Sequence, residues 1–188
     1  DGHARGYLAL VVGAVHQQSA SGADANAEWA DLIEAAHEND IEVWLDIVVN
    51  PTTEEDEHGP TYNLRGLADR EYYSRDAHDD YLDDAGCGNV VDTTSPIAQS
   101  LIMAALERFA GLGVDGFRFD LATILARDPE FVRGIGDWAA ERRVRLVAEA
   151  WDMMRYQVGR AWPDQRWMQW NGRYRDDMRG FLRGEGGL

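Results

Sequence analysis

Two hydrophobic periods alternate along the chain. Tyr7 to Val15 is an apolar run with β-branched residues, short enough to be a buried strand. A polar stretch follows, Gln17 to Asn26. Trp29, Leu32, Ile33 and Ala36 then recur at helical spacing, and Asn39 and Asp40 end that helix. Ile41 to Val49 is almost continuously apolar, as strands buried on both faces are. Ser95 and Pro96 supply an N-cap and an N1 proline. Ile97, Leu101, Ile102, Ala105, Leu106 and Phe109 line the helix that follows, and Gly111 is placed to close it. Val114 to Phe119 is the third predicted strand. Asp128 and Pro129 repeat the cap-plus-proline start, with Phe131, Val132, Ile135 and Trp138 facing inward. Val144 to Ala148 is the fourth strand. Trp151 to Trp170 is aromatic and irregular, and Tyr174 to Leu182 reads as a last helix.

Between the second strand and the helix at Ser95 the pattern breaks. From about residue 50 to 94, Pro, Gly, Asp and Tyr dominate and no clear period survives. A loop of that length inside a compact domain is usually functional. The order β, α, β, long loop, α, β, α, β argues a parallel α/β architecture. Periodicity alone leaves an open doubly wound sheet and a barrel both standing. No glycine-rich phosphate loop follows the first strand, which weakens an unrelated nucleotide-binding α/β domain. No repeat, low-complexity tract or linker divides residues 1–188, so one domain is expected.

Composition narrows the partners. The formal net charge is −16, and all the basic side chains are arginine. Such a surface repels nucleic acid and anionic membranes, so neither is expected as a partner, and a neutral substrate fits. No run of about 18 apolar residues exists to span a membrane. The chain opens on Asp1, Gly2 and His3 without a basic-then-apolar start. Cys87 stands alone, which excludes an intrachain disulfide or a cysteine zinc site and is compatible with a reducing, cytoplasmic setting. Asp79, Asp80, Asp83 and Asp84 form an acidic loop. Calcium on their oxygens is the alternative to plain solvation, and no cofactor or metal is expected.

The candidate chemistry lies where parallel strands end, because ligands bind at their carboxyl ends. Asp46 and Asn50 lie within or just after the second strand. Arg118 and Asp120 close the third, and Glu149 closes the fourth. Asp120 and Glu149 are one βαβ step apart and so can be neighbours in space. Two facing carboxylates are what retaining glycoside hydrolysis needs, at a separation of about 5 to 5.5 Å. Arg118, two residues before Asp120, shares its strand face and is placed to orient that carboxylate. Glu149 follows an apolar run, where partial desolvation favours an acid catalyst. Trp151 offers an apolar ring face for a sugar, or for core packing.

Those residues also carry a resemblance. The stretch Gly113-Val114-Asp115-Gly116-Phe117-Arg118-Phe119-Asp120-Leu121-Ala122 resembles the nucleophile region of the α-amylase family of glycoside hydrolases. Val147-Ala148-Glu149-Ala150-Trp151-Asp152 resembles its acid/base region, and Leu45-Asp46-Ile47-Val48-Val49-Asn50 its first signature region. Gly59-Pro60, Leu64-Arg65-Gly66, Tyr72-Tyr73, Gly86-Cys87-Gly88-Asn89, Phe131 and the run Trp170 to Asp177 are similar to the glycogen-debranching and isoamylase subgroup. The resemblance runs from about Gly6 to Arg183. It implies an incomplete (β/α)8 barrel supplying roughly strands two to six, since such a barrel takes about 250 residues. It implies hydrolysis of α-1,6 branch linkages in glycogen-like glucans with retention, Asp120 as nucleophile and Glu149 as acid/base. Asp46, Asn50, Arg118, Trp151 and His16, after the first strand, are its substrate-binding candidates. The remainder of the barrel is expected in a longer chain, and the exposed strand edges of the piece are expected to favour self-association.

Two departures bear on activity. Pro51 stands where the family has a sugar-contacting histidine, and the chain stops before the family's third carboxylate. Three alternatives therefore stay open beside debranching: α-1,4 hydrolysis, glucosyl transfer, and glucan binding without turnover.

Overall fold

The structure is a computed structural model that describes residues 13–15, 20–49, 51–84 and 86–185. Most of the first predicted strand lies outside the described residues. Four strands form one parallel sheet in chain order: β1 (Trp44–Ile47), β2 (Gly116–Phe119), β3 (Arg145–Ala148) and β4 (Met168–Gln169). The helices are α1 (Ala25–His37), α2 (Leu64–Tyr72), α3 (Pro96–Gly111), α4 (Pro129–Arg142) and α5 (Gly172–Arg183). The second, third and fourth predicted strands are present but shorter than their apolar runs. β4 lies inside the stretch that the sequence leaves irregular, because two residues are too few to show alternation.

Each helix begins for a local reason. Asp24, inside the polar stretch, caps α1 by accepting from the amides of Asn26 and Ala27. Asp128 caps α4 the same way through Glu130 and Phe131. Ser95 occupies the N-cap position of α3, but its hydroxyl makes no capping bond, so Pro96 and the backbone set that start. The glycine that ends α3 is Gly113, at φ 98°, rather than Gly111, which is the last helical residue.

One sheet face is the core. Residues two apart on a strand share a face, so Ile47, Phe117, Phe119, Leu146 and Ala148 point together toward α3 and α4. There they meet buried Ile102, Leu106, Phe109, Val132, Ile135 and Trp138. Leu32 and Ile97, read from spacing as core residues, are 55% and 43% exposed. Their helix faces extend beyond what the described sheet covers. Gly116 leaves room for the side chain of its β1 partner: a Cβ there would come within 2.5 Å of the Trp44 ring.

The long excursion after β1 is more ordered than its sequence pattern. It contains α2, kinked at Ala68, and Leu64, Tyr73 and Val91, which form a small core with Ala98 of α3. Glu54, 2% exposed, is its knot. Its carboxylate accepts from the Tyr73 hydroxyl at 2.5 Å and from the amides of Tyr62, Asn63 and Arg65 at 2.7, 2.8 and 3.0 Å. The Arg65 guanidinium in turn donates to the carbonyls of Glu54, Glu55, Asp56 and Gly59. Asn89, fully buried, joins Thr52 to Glu55. Burial alone pushes the Glu54 carboxyl up, but its four donors outweigh that and hold it below the usual range.

Glu54→Ala strands those donors in a buried site, so a loss on the order of 3 kcal/mol is expected in urea unfolding at pH 7. A depressed carboxyl stabilises above its unfolded pKa, about 4.3, and stops doing so as pH falls through its folded value. The gap between parent and variant therefore narrows below about pH 4, which unfolding curves at a series of pH values read directly.

Candidate active site

Strand register assembles the site. Asp46 pairs with Arg118 across β1 and β2, and Phe119 with Ala148 across β2 and β3. The ladder continues one residue past the strands. The amides of Asp120, Glu149 and Trp170 donate to the carbonyls of Ile47, Phe119 and Ala148, each at 3.0 Å. Asp120, Glu149 and Trp170 therefore form one row at the carboxyl rim. They lie on the same face as Asp46 and Arg118 and opposite the core face.

Arg118 is the hub of that row. Nη1 donates to Asp46 Oδ1 and Oδ2 at 2.8 and 3.0 Å and lies 2.6 Å from Asp120 Oδ1 in an ion pair. Nη2 donates to Glu149 Oε2 at 2.7 Å. The guanidinium carbon sits 4.3 Å from the centroid of the Trp170 ring. Burial opposes the guanidinium charge, but the surrounding carboxylates outweigh it and push its pKa up. Arg118 is thus a fixed cation.

The two candidate catalytic carboxylates are largely shielded, at 17% side-chain exposure for Asp120 and 15% for Glu149. Burial raises the Glu149 pKa, and a hydrogen bond with Asp120 raises it further. The Leu121 amide, 3.3 Å from Oε2, and the Arg118 charge pull against that without reversing it. Leu121 can aim its amide there because it adopts a left-handed backbone, φ 43° and ψ 46°, which is costly for a residue with a side chain.

A second tie joins the loops that follow β2 and β3. Thr123, 1% exposed, donates to Asp152 Oδ2 at 2.6 Å, and Asp152 Oδ1 accepts from the amides of Met154 and Arg155. Trp151 stacks on Tyr156 with ring centroids 5.9 Å apart. Both line an open cavity of about 380 Å³ with Met153, Met154, Arg173 and Arg175. A larger one, about 520 Å³, lies beside α1 among Trp29, Leu45 and Phe109. Leu45 points to the core face, so that space is not part of the rim.

The structure thus brings together Asp46, Arg118, Asp120 and Glu149. Trp151 lies on the loop after β3, two residues past Glu149, with its ring against Tyr156 and under Arg175. His16 and Asn50 lie outside the described residues. Pro51 is buried. In the acidic loop, Asp79 is paired with Arg70 at 2.5 Å, Asp84 is paired with Arg127, and Asp83 accepts from the amides of Cys87 and Gly88. Among the described residues no group of three or more His, Cys, Asp or Glu is arranged to hold a metal ion. Sequence reasoning gave no role to Trp170, Thr123 or Asp152. Trp170 is findable from the row only once β4 is known, and Thr123 meets Asp152 through tertiary placement alone.

Comparison with known proteins bears on the family and the fold. No family model matches the chain. The glycogen debranching enzyme of Cronobacter sakazakii is 39% identical over 193 residues, covering 96% of this chain and 29% of the relative. The chloroplastic isoamylase 3 of Oryza sativa is 36% identical over 177 residues, covering 87% of this chain and 23% of the relative. The chain therefore spans less than a third of the length of these relatives. Among solved structures, the pullulanase of Bacillus acidopullulyticus matches with a TM-score of 0.62 at 28% identity, over 70% of this chain and 16% of that one. An Anoxybacillus pullulanase complexed with maltotriose matches with a TM-score of 0.69 at 24% identity, over 81% of this chain and 22% of that one. Among the described residues no helix is long and apolar enough to cross a membrane. By sequence over nearly its whole length, and by fold, the chain is a stretch of an α-amylase-family barrel, within the group of glycogen debranching enzymes and isoamylases.

Proposed function

We propose that the protein hydrolyses α-1,6 branch linkages in glycogen-like glucans by a retaining two-carboxylate mechanism. The observation that carries the reading is the pair Asp120 and Glu149, at neighbouring strand ends and bound by one guanidinium. The names of the debranching and isoamylase relatives support the substrate. So does the maltotriose bound by the Anoxybacillus neighbour. A cytoplasmic setting belongs to the same proposal.

Asp120, oriented by Arg118, attacks the anomeric carbon as the glycosidic carbon–oxygen bond breaks. Glu149 gives its proton to the departing oxygen, leaving a glycosyl ester on Asp120. Glu149 then takes a proton from water, whose oxygen attacks the same carbon and frees Asp120. Two inversions amount to retention. The raised Glu149 pKa suits the proton-donating step. A retaining mechanism needs the two carboxyl groups about 5 to 5.5 Å apart, so a sugar seated between them would displace the Asp120 interaction that helps push the Glu149 carboxyl up. Trp151 and the cavity beside it extend the site on the Glu149 side, where the leaving chain departs. Glucan binding without turnover is the second reading, and the buried Pro51 in place of a sugar-contacting histidine is what favours it.

The test uses amylopectin and follows reducing ends and released chain lengths. It is run on the 188-residue chain and on a chimera carrying it in place of the matching segment of the Cronobacter enzyme. Linear chains are expected from the chimera, with Asp120→Asn and Glu149→Gln each lowering the rate on the order of 1,000-fold, about 4 kcal/mol in barrel-bound transition-state stabilisation. Tight glucan binding by a chimera with no turnover at all would establish the second reading.

A pH dependence follows from Glu149. Its proton is needed for leaving-group departure, so kcat/KM falls as pH rises through its elevated pKa. Arg118→Leu removes the cation that holds that value down, so the Glu149 titration moves further up. Carboxyl carbon NMR on the labelled chain reads the direction without needing turnover.

A further inference from the structure

Arg118 is held at its terminal nitrogens by carboxylates, and its guanidinium carbon lies over an aromatic ring. Nη1 serves Asp46 and Asp120, and Nη2 serves Glu149. Its Nε is buried and finds no hydrogen-bond partner among the described residues. The hydrogen bonds are therefore concentrated at the two terminal nitrogens. The edge that ordinarily fixes a guanidinium's rotation about its stem makes none. Asp46, 42% exposed, takes two bonds from Nη1 and competes with the other carboxylates for the same cation.

Trp170 supplies the missing restraint. Its ring lies against the guanidinium at 4.3 Å, within the range of a cation–π contact. Its own backbone is fixed, because its amide donates to Ala148 at 3.0 Å, in the same ladder that places Asp120 and Glu149. Asn171, the next residue, caps α5 through the Tyr174 amide and anchors the chain on the other side. Trp170 is 47% exposed, so it is held by this contact and its backbone rather than by core packing.

We propose that Trp170 is a positioning residue that holds the Arg118 guanidinium in the plane that reaches Asp120 and Glu149 together. The proposal rests on the reading of those two carboxylates as the catalytic pair. Without the ring, the guanidinium swings toward the more exposed Asp46 and leaves Glu149. Arg175 on α5, which also acts on Glu149, is itself ion-paired with Asp176.

Carbon NMR of the Glu149 carboxyl in the 188-residue chain reads the clamp whether or not the chain turns over glucan. Trp170→Ala is expected to move the Glu149 titration midpoint upward by about half a unit. Trp170→Phe, which keeps a ring, is expected to move it by less than half as much. It also serves as the folded comparison should the alanine variant lose structure. In the chimera, Trp170→Ala is expected to lower kcat by about 3- to 10-fold with KM little changed. An unmoved Glu149 titration in both variants overturns the proposal. So does a rise in KM at constant kcat, which would make Trp170 a sugar platform. A chimera without glucan turnover sinks the debranching reading and leaves the titration to decide on Trp170.

Discussion

One guanidinium among three carboxylates is the constraint on which this rim depends. Asp46, Asp120 and Glu149 converge from three strands on one point of the rim. Arg118 lies there, with a side chain 11% exposed. Burying a cation is costly unless it is paired and hydrogen-bonded. Here the partners come from both neighbouring strands, so the same bonds that satisfy the charge also fix strand register at the rim. A slip of β2 by one residue would turn Arg118 to the core face, among Ile47, Leu146 and Ala148 of the neighbouring strands, away from its three carboxylates.

The same physics recurs with the sign reversed in the excursion after β1. There a buried carboxylate, Glu54, is ringed by donors, and an arginine caps four carbonyls of the turn around it. Little apolar surface is available in this segment, so a closed polar network takes over the work that a core does elsewhere. Tyr73 links the two regimes. Its ring belongs to the small apolar cluster and its hydroxyl to Glu54. Burial and that hydrogen bond push the Tyr73 hydroxyl well above its ordinary pKa, so it acts as a donor throughout the working range.

Between these two knots lie the rim loops, and their ties are short. Leu121 accepts an unfavourable backbone so that its amide reaches Glu149, and the Ala122 amide donates to the Glu149 carbonyl at 2.9 Å. Thr123 then reaches across to Asp152. In the three residues after Asp120 the chain is bound three times to the segment that carries Glu149. The backbones that carry Asp120 and Glu149 are thereby tied to each other directly.

The sequence by itself determined the alternation of strands and helices, the cap at Asp128, and the candidate pair Asp120 and Glu149 with Arg118 on their face. Each of these is local: a run length, a cap spacing, or a period of two. What lay beyond reach was non-local or too brief to repeat. β4 has two residues and no period, so the row that adds Trp170 to the rim is visible only in the folded sheet. α2 and the Glu54 network were hidden because their order comes from polar contacts between residues up to 37 positions apart, as Thr52 and Asn89 are, and polar contacts leave no hydrophobic rhythm. Leu32 and Ile97 kept the helical period yet stayed exposed, since a period names a face and the tertiary structure decides what covers it. The upward push that Asp120 gives the Glu149 carboxyl likewise depends on where two strand ends meet, and adjacency along the chain does not set that distance.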